Sequence, residues 1–176
     1  EFEIGSVSKT FTAELLRQAV ERGEVTLDTT VGEILDDADM STSDITLKEL
    51  ATHISGLPRI IDISPFTVVI SMQRKQNPYD GFTTQRILDE ARTATLADRG
   101  TYNYSNFGMA LLGHLLARRA GTTYAQLAQE RIFTPLGMNN TYVMTPETTP
   151  TNAPRGLDIT GHLTAAWDDE GYGPAG

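Results

Sequence analysis

The amino-acid sequence predicts a mainly α-helical chain. Apolar residues recur at helical spacing in several segments, and helix-start signals of the Thr-x-x-Glu/Gln type stand at Thr46 and Thr123. Glycine or proline follows where the periodic patterns stop, as at Gly23 and Pro58. The chain has 176 residues, 39% of them hydrophobic, which is enough for one domain with a core. We therefore expect a single domain built largely from helices.

The composition excludes several classes of function. The chain has 14 lysine and arginine residues against 23 aspartate and glutamate residues, a net charge of −9. This charge works against non-specific attraction to nucleic acid or to an anionic membrane surface, so a small molecule or a peptide is the expected partner. There are no cysteines, which excludes disulfides, thiolate metal sites and cysteine nucleophiles. No apolar run approaches the roughly 18 residues that span a bilayer.

The first element is an amphipathic helix, predicted over residues 6–22 and ended by Gly23. On a helical projection its apolar side chains fill one arc of about 200°; they are Phe11, Ala13, Leu15, Leu16, Ala19 and Val20. Lys9 projects into this arc and not onto the polar side. We therefore expect Lys9 to be buried.

The segment after this helix predicts a turn, a short extended piece and a short helix. Its acidic run is most simply a solvated face and not a metal site; it comprises Glu33, Asp36, Asp37 and Asp39. A further helix begins with the capping box of Thr46 and Glu49 and stops at Gly56 and Pro58. Residues 58–82 are predicted to form a long excursion or lid, because loops of this length are usually functional or mobile.

Three more helices complete the predicted helical region. The first covers about residues 84–92, and the second covers about residues 106–119. The second is apolar on nearly every side, so we expect it to be buried all round. The third is short, starts from the Thr123 and Gln126 capping box, and is followed by a Pro-Gly turn. Residues 145–176 hold few core residues and are predicted to form an irregular tail.

Ser6 and Lys9 stand one helical turn apart, a spacing that allows contact. A serine hydroxyl is a weak nucleophile unless a base takes its proton. A lysine can be that base only when neutral, and burial favours the neutral form. The helix dipole near Ser6 also favours developing negative charge. The alternative is a serine helix cap followed by a lysine whose stem packs while its amine reaches solvent.

Tyr104 and Asn106 lie at the mouth of the predicted buried helix. There the phenol can relay protons and the amide can hold a substrate carbonyl or the lysine. The alternative is a packed tyrosine, with Ser105 or Asn106 as the helix cap.

Four segments, taken in order, resemble the serine β-lactamase and penicillin-binding family. The closest likeness is to its branch of class C β-lactamases, D-aminopeptidases and esterases; the segments read FEIGSVSKTFTAELL, ITLKELATHISGLP, YNYSNFGMALLGHLLARRAG and PLGMNNTYV. This resemblance covers residues 2 to about 144. It implies that Ser6 is acylated, that Lys9 is its partner, that Tyr104 is a general acid/base, and that Asn106 contacts substrate and lysine. It also implies an extracytoplasmic location, periplasmic or secreted.

The chain departs from the family pattern at one point. Family members carry a third motif, Lys-Thr-Gly or His-x-Gly, on a sheet strand that supplies the second oxyanion amide. The only lysines are Lys9, Lys48 and Lys75, and neither they nor the histidines begin such a triplet. The resemblance therefore implies a fragment of the family's α/β fold, namely the nucleophile helix plus the helical region. The antiparallel sheet is largely absent from this chain, and a second chain could supply it.

The sequence thus predicts one partial domain over residues 1–176. It divides into the nucleophile helix at 1–23, the helical region at 24–144 and the tail at 145–176. The expected function is a serine hydrolase acting on a β-lactam, a D-amino-acid peptide such as one of peptidoglycan type, or an ester. The alternative is a catalytically silent homologue or binding module that keeps the cleft.

The remaining candidate residues carry no expected chemistry. His53 matches a family position, but a structural role is the simpler interpretation. His114 is expected to be a satisfied core histidine, and nothing is assigned to His162 or Trp167. Three histidines this scattered, without a carboxylate at ligand spacing, do not predict a zinc site. We therefore expect neither a metal nor a cofactor.

Overall fold

The computed structural model describes residues 2–61, 81–152, 156–157, 160–163 and 170–176. These residues form six α-helices: α1 (Lys9–Glu21), α2 (Val31–Leu35), α3 (Leu47–Ala51), α4 (Thr84–Thr93), α5 (Asn106–Ala120) and α6 (Tyr124–Ala128). A 3-10 turn, Gly5–Ser8, leads into α1, and a π-helical turn, Gln129–Phe133, follows α6. The described residues contain no strand, only isolated bridges between Thr30 and Thr46 and between Leu157 and Leu163. The prediction of a mainly α-helical chain is confirmed.

Most of the predicted excursion at 58–82, namely residues 62–80, lies outside the described residues. Residues 58–61 continue the loop that follows α3, and Phe82 precedes the cap of α4. Among the described helices, none combines the length and the hydropathy that crossing a bilayer requires.

Side-chain caps start the short helices. Thr46 and Thr123 form the predicted capping boxes at α3 and α6. A third box, Thr30 with Glu33, starts α2 and was not predicted. In each box the threonine oxygen accepts an N–H from the first turn while the third helical residue accepts the N–H of the threonine. These bonds let helices of only five residues begin at defined positions.

Helix α5 is the centre of the core. Its residues 107–117 are all buried, as the apolar pattern predicted. The other five helices pack around α5, and Gly121, with φ 71°, ends it in the left-handed conformation. The second-longest helix, α1, lies against α5 through Leu15, Leu16 and Ala19. This contact fixes the start of α1, and hence Ser6, relative to the start of α5.

The segment 170–176 also belongs to the core, although the sequence indicated few core residues beyond 145. Tyr172 and Ala175 are buried, and the Tyr172 hydroxyl accepts a hydrogen bond from the Ile61 N–H at 2.9 Å. The buried His114 donates from Nε2 to the Gly171 carbonyl at 2.8 Å. Thr12 of α1 donates to the Pro174 carbonyl at 2.7 Å. The segment is therefore tied to both α1 and α5.

Gly113 on α5 marks the close approach of this segment. A Cβ atom there would lie 2.3 Å from Pro174 Cβ and 3.0 Å from the Tyr124 ring. We expect Gly113→Ala to lower the free energy of unfolding by about 1–3 kcal/mol through overpacking, although alanine is otherwise the better helix former. Thermal and urea unfolding measure this. The matched control is Gly108→Ala on the same helix, where the nearest atom is 3.3 Å away. Equal effects of the two substitutions would contradict the packing argument.

Candidate active site

Ser6 and Lys9 meet where the 3-10 turn joins α1. The Lys9 Nζ donates to the Ser6 Oγ at 3.1 Å. Lys9 is only 9% exposed, as its place in the apolar arc predicted, whereas Ser6 is open to solvent. Ser6 makes no side-chain capping bond, because Ile4 and Ser8 occupy the cap positions of the turn and of α1. The alternative of a serine cap with a surface amine therefore does not describe this pair.

A second acceptor holds the lysine amine. Lys9 Nζ donates to the backbone carbonyl of Ala175 at 2.6 Å, and this bond is buried. A buried ammonium without hydrogen-bond partners is costly, so the carbonyl stabilises the amine in this position. The contact joins α1 to the packed segment 170–176. It keeps the amine directed across the end of α1 towards Ser6.

Tyr104 contacts the same serine from the other side. Its hydroxyl donates to Ser6 Oγ at 2.8 Å. The ring lies beside that of His53, with centroids 4.7 Å apart, and Lys9 Nζ stands 4.8 Å from the ring centroid. The Arg59 guanidinium carbon is 5.1 Å from the same centroid. Ser6 Oγ thus accepts hydrogen bonds from both an amine and a phenol.

The charges around the phenol shift its ionisation. Partial burial alone would raise the pKa of Tyr104. The contacts of the phenol oxygen with Lys9 and Ser6, together with the charges of Lys9 and Arg59, outweigh burial and hold this pKa below its usual value. Although the chain is acidic overall, two cations, Lys9 and Arg59, lie beside the Tyr104 ring. Their positive charge favours the phenolate form of Tyr104.

Asn106 is the first residue of α5, and Ser105 caps that helix. The Ser105 Oγ accepts the Gly108 N–H at 2.8 Å and donates to the Pro58 carbonyl at 2.7 Å. The Asn106 Oδ1 atom is buried and has no hydrogen-bond partner within the described residues. It does not receive the Lys9 amine, which bonds to Ser6 and Ala175 instead. An unsatisfied buried amide oxygen is costly, so this atom is a candidate acceptor for a bound ligand.

The loop that carries Tyr104 is fixed against the segment after α3. The N–H groups of Ala97, Gly100 and Asn103 donate to carbonyls of residues 53–56 at 2.8–2.9 Å. Arg99 adds a bidentate ion pair to Glu49, at 2.7 and 2.9 Å, and a contact of 2.8 Å to Asp44. The start of α3 thus supports the loop before Tyr104.

The stabilisation that the Glu49–Arg99 ion pair gives to this loop depends on pH. The ion pair lowers the pKa of Glu49 from 4.5 to about 2, against the opposing effect of burial. The folded state therefore keeps Glu49 ionised at pH values where the unfolded chain protonates it. The pair stabilises the fold fully above pH 4.5, and the stabilisation is lost as pH falls towards about 2.

We expect Glu49→Gln, which keeps the size and the capping geometry, to cost about 2 kcal/mol of unfolding free energy at pH 7. The cost should nearly vanish near pH 2, and urea unfolding at both pH values measures it. Glu14→Gln on α1 is the control. The pKa of Glu14 is also lowered to about 2, first by its hydrogen bond with Arg17. The Glu14–Arg17 pair is exposed, however, so solvent screens the interaction. A pH-independent cost of Glu49→Gln would contradict the linkage.

The other histidines lie away from this cluster. His114 is buried and satisfied, with Nδ1 at 3.4 Å from Thr84 Oγ1 and Nε2 bonded to Gly171, and burial lowers its pKa. His162 contacts Thr160, and Trp167 lies outside the described residues. In the part of the chain that the structure describes, no three histidine or acidic side chains are grouped so as to hold a metal ion.

Sequence reasoning missed two contributors to the cluster. The Ala175 carbonyl is a backbone group 166 residues from Lys9, and no side-chain pattern signals it. Arg59 directly follows the Gly-Leu-Pro stop of the α3 segment, and nothing in its neighbours marks it as a partner of Tyr104. The structure does bring together three of the four predicted residues, Ser6, Lys9 and Tyr104, and places Asn106 at the adjoining helix start.

Comparison with known proteins identifies similar sequences along nearly the whole chain. Residues 2–176 match the family model described as Beta-lactamase. A β-lactamase of Pseudomonas fluorescens is 32% identical over 180 residues, which cover 98% of this chain and 46% of that protein.

Solved structures also align with nearly the whole chain. A class C β-lactamase from Rhodobacter sphaeroides aligns with a TM-score of 0.76 and 31% identity, covering 99% of this chain and 46% of that one. A β-lactamase/D-alanine carboxypeptidase from Pseudomonas syringae aligns with a TM-score of 0.75 and 26% identity, with the same two coverages. The chain therefore spans about half the length of these three relatives.

Proposed function

This chain belongs to the β-lactamase family, and on that premise we propose that it carries the nucleophile of a serine hydrolase that acts on amide or ester bonds. The observation that carries the proposal is the double contact of Ser6 Oγ, at 3.1 Å to Lys9 Nζ and 2.8 Å to Tyr104 Oη. Its substrate is a β-lactam, a D-amino-acid peptide of peptidoglycan type, or an ester. No metal or cofactor takes part in this mechanism.

The reaction begins with proton transfer from the serine. The lowered pKa of Tyr104 favours its phenolate form. The phenolate accepts the Ser6 proton as Oγ forms a bond to the substrate carbonyl carbon. Lys9 stabilises the phenolate by its charge and takes part in the proton relay. The carbon–nitrogen or carbon–oxygen bond to the leaving group then breaks, and the leaving group receives the proton.

Water completes the cycle by attacking the Ser6 acyl ester. The Tyr104 phenolate takes a proton from this water as the water oxygen bonds to the acyl carbon. The bond from that carbon to Ser6 Oγ then breaks, the phenol returns the proton to Oγ, and the acyl group leaves as a carboxylic acid. Asn106 orients the substrate, because its buried Oδ1 has an unused acceptor position beside the cluster. A substrate N–H is the group that this oxygen can bind.

We further propose that residues outside this chain complete the site. The sequence lacks both Lys-Thr-Gly and His-x-Gly, the triplets that accompany the second oxyanion amide in the family it resembles. Loss of one oxyanion donor costs about 10²–10³ in rate. We therefore expect the 176-residue polypeptide alone to be a poor catalyst of nitrocefin or p-nitrophenyl ester hydrolysis. Normal enzyme rates from it, lost on Ser6→Ala, would refute this expectation.

Covalent labelling of the full-length protein tests the function. A fluorescent penicillin and a fluorophosphonate are each incubated with the protein, and peptide mapping by mass spectrometry locates the adduct. The proposal expects the adduct on the peptide that contains Ser6. Competition by a β-lactam, a D-alanyl-D-alanine peptide or an ester then reports the substrate class. A full-length protein that binds these compounds without forming an adduct would instead be the silent binding module.

A further inference from the structure

One residue outside the proposed catalytic group holds the backbone on both sides of Tyr104. The N–H of Asn103 donates to the His53 carbonyl at 2.8 Å. The N–H of Ser105 donates to the His53 ring nitrogen Nδ1 at 3.2 Å. The N–H groups of the two residues on either side of Tyr104 are thus bonded to the backbone and to the side chain of the same histidine.

The conformation of His53 makes this double contact possible. Its φ is 59°, in the left-handed region that few residues other than glycine adopt. In this conformation the carbonyl and the imidazole both face the loop 102–105. Backbone strain of this kind persists only where the surrounding structure holds it, and it clusters at functional sites.

The imidazole also packs directly on the phenol. Its ring centroid is 4.7 Å from that of Tyr104 at an interplanar angle of 35°, and 5.9 Å from that of Tyr102 in an edge-on contact. Lys9 Nζ and the Arg59 guanidinium also lie near the Tyr104 ring. His53 thus contributes a neutral contact to a ring that already has two cations as neighbours.

We propose that His53 is a positioning residue: its Nδ1, accepting the Ser105 N–H, and its ring, packed on Tyr104, hold the phenol oxygen at bonding distance from Ser6. The proposal rests on the proposed function, because it assigns His53 an effect on the general base of that reaction. It requires the neutral tautomer with the proton on Nε2, since a doubly protonated imidazole has no acceptor.

The surroundings of the ring favour this neutral form. Burial and then the charge of Lys9 lower the pKa of His53. The groups that face the ring are Lys9 from α1, Arg59 through its contact with Tyr104, and the phenols of Tyr102 and Tyr104. Protonation would release the Ser105 N–H and place a third cation against Tyr104. The acid limb of Ser6 reactivity should therefore include the titration of His53.

Two variants separate the hydrogen bond from simple side-chain volume. His53→Asn keeps an acceptor near the Nδ1 position and tolerates a positive φ, whereas His53→Leu keeps a similar volume and has no acceptor. Thermal unfolding of each variant reports whether the fold is retained. If His53→Leu proves too unstable to assay, the pH profile of the wild-type protein against that of His53→Asn still tests the proposal. The part of the wild-type acid limb that comes from the titration of His53 should be absent from the asparagine variant, whereas the part that comes from Tyr104 should remain.

The first readout does not depend on catalysis. Tyrosine labelled with ¹³C at the hydroxyl-bearing carbon gives one resonance per tyrosine in the full-length protein, and comparison with Tyr104→Phe identifies that of Tyr104. We expect its phenol to titrate below the ordinary range in the wild type and in His53→Asn. In His53→Leu it should shift towards the ordinary value, because the oxygen leaves Lys9 and Ser6. An unchanged Tyr104 titration in a folded His53→Leu variant would overturn the proposal.

The second readout is the rate of Ser6 phosphonylation by a fluorophosphonate, in which Oγ bonds to phosphorus and fluoride leaves. His53→Leu should slow it by about 10²-fold, the cost of a misplacement of roughly 1 Å, and His53→Asn should stay close to wild type. In a Tyr104→Phe background the same leucine substitution should have almost no further effect, because His53 acts through that phenol. Equal losses in both backgrounds would show a merely structural role and overturn the proposal. Absence of Ser6 phosphonylation in the wild type would refute the proposed function alone, since the resonance of Tyr104 still tests the positioning role.

Discussion

Replacing Ser6 with alanine is expected to abolish covalent labelling and to reduce hydrolysis by the full-length protein on the order of 10⁶-fold. No other hydroxyl of the described residues contacts both Lys9 and Tyr104. Without the serine oxygen, the amine and the phenol have nothing to activate except water, and the acyl ester does not form. Ser6 is exposed and outside the core, so the melting temperature should change little.

Ser8→Ala is the matched control for this substitution. Ser8 lies in the same 3-10 turn, but its hydroxyl donates to the Gly5 carbonyl at 2.6 Å and not to the lysine. Labelling should persist in this variant. An adduct that survives Ser6→Ala would exclude Ser6 as the nucleophile. If Ser8→Ala removed that adduct, Ser8 would be the labelled residue instead.

Replacing Lys9 with methionine is expected to slow acylation of Ser6 by about 10²–10⁴-fold. Methionine keeps the unbranched stem that packs in the apolar arc, but it removes the amine that contacts Ser6 Oγ and stands over the Tyr104 ring. The phenol then loses the cation that most directly stabilises its ionised form, so the pH at which Ser6 reacts should rise. Stopped-flow or gel-based labelling rates over a range of pH measure both effects.

In Lys9→Met we expect a large loss of reactivity but only a small change in stability. Removing a buried amine ends its desolvation cost, whereas the Ala175 carbonyl loses its partner, at about 1–3 kcal/mol. The net change in unfolding free energy should therefore be small compared with the loss of rate. Lys48→Met on α3 is the control, because Lys48 is exposed and away from the cluster. Wild-type acylation rates in Lys9→Met would exclude the lysine from the mechanism.

Much of the fold was predictable because local rules decide it. The apolar arc of α1 indicated that Lys9 is buried, and the continuous apolar run of α5 indicated burial on all sides. The threonine boxes at α3 and α6 gave the starts of helices too short to be recognised from periodicity alone. Each of these signals involves residues at most a few turns apart.

The candidate site was predictable only in part, because most of its contacts are between distant segments. The spacing of Ser6 and Lys9 predicts their contact, but nothing local predicts that Tyr104 reaches the same oxygen; that expectation came from the family resemblance. The interaction of His53 with the loop 102–105 requires a left-handed φ at a non-glycine residue, which propensity does not indicate. The unpartnered Asn106 Oδ1 was likewise not predictable, since the resemblance implied a contact with the lysine.

The hydrogen bond from Lys9 to Ala175 joins residues 166 positions apart. Helix α1 can form early from nearby contacts, whereas this long-range contact must wait for closure of almost the whole chain. Conversely, a sub-global opening that releases residues 170–176 would free the amine while the packing around α5 persists. The chemistry is therefore coupled to the docking of the short segment 170–176, and reactivity should be lost before the domain melts.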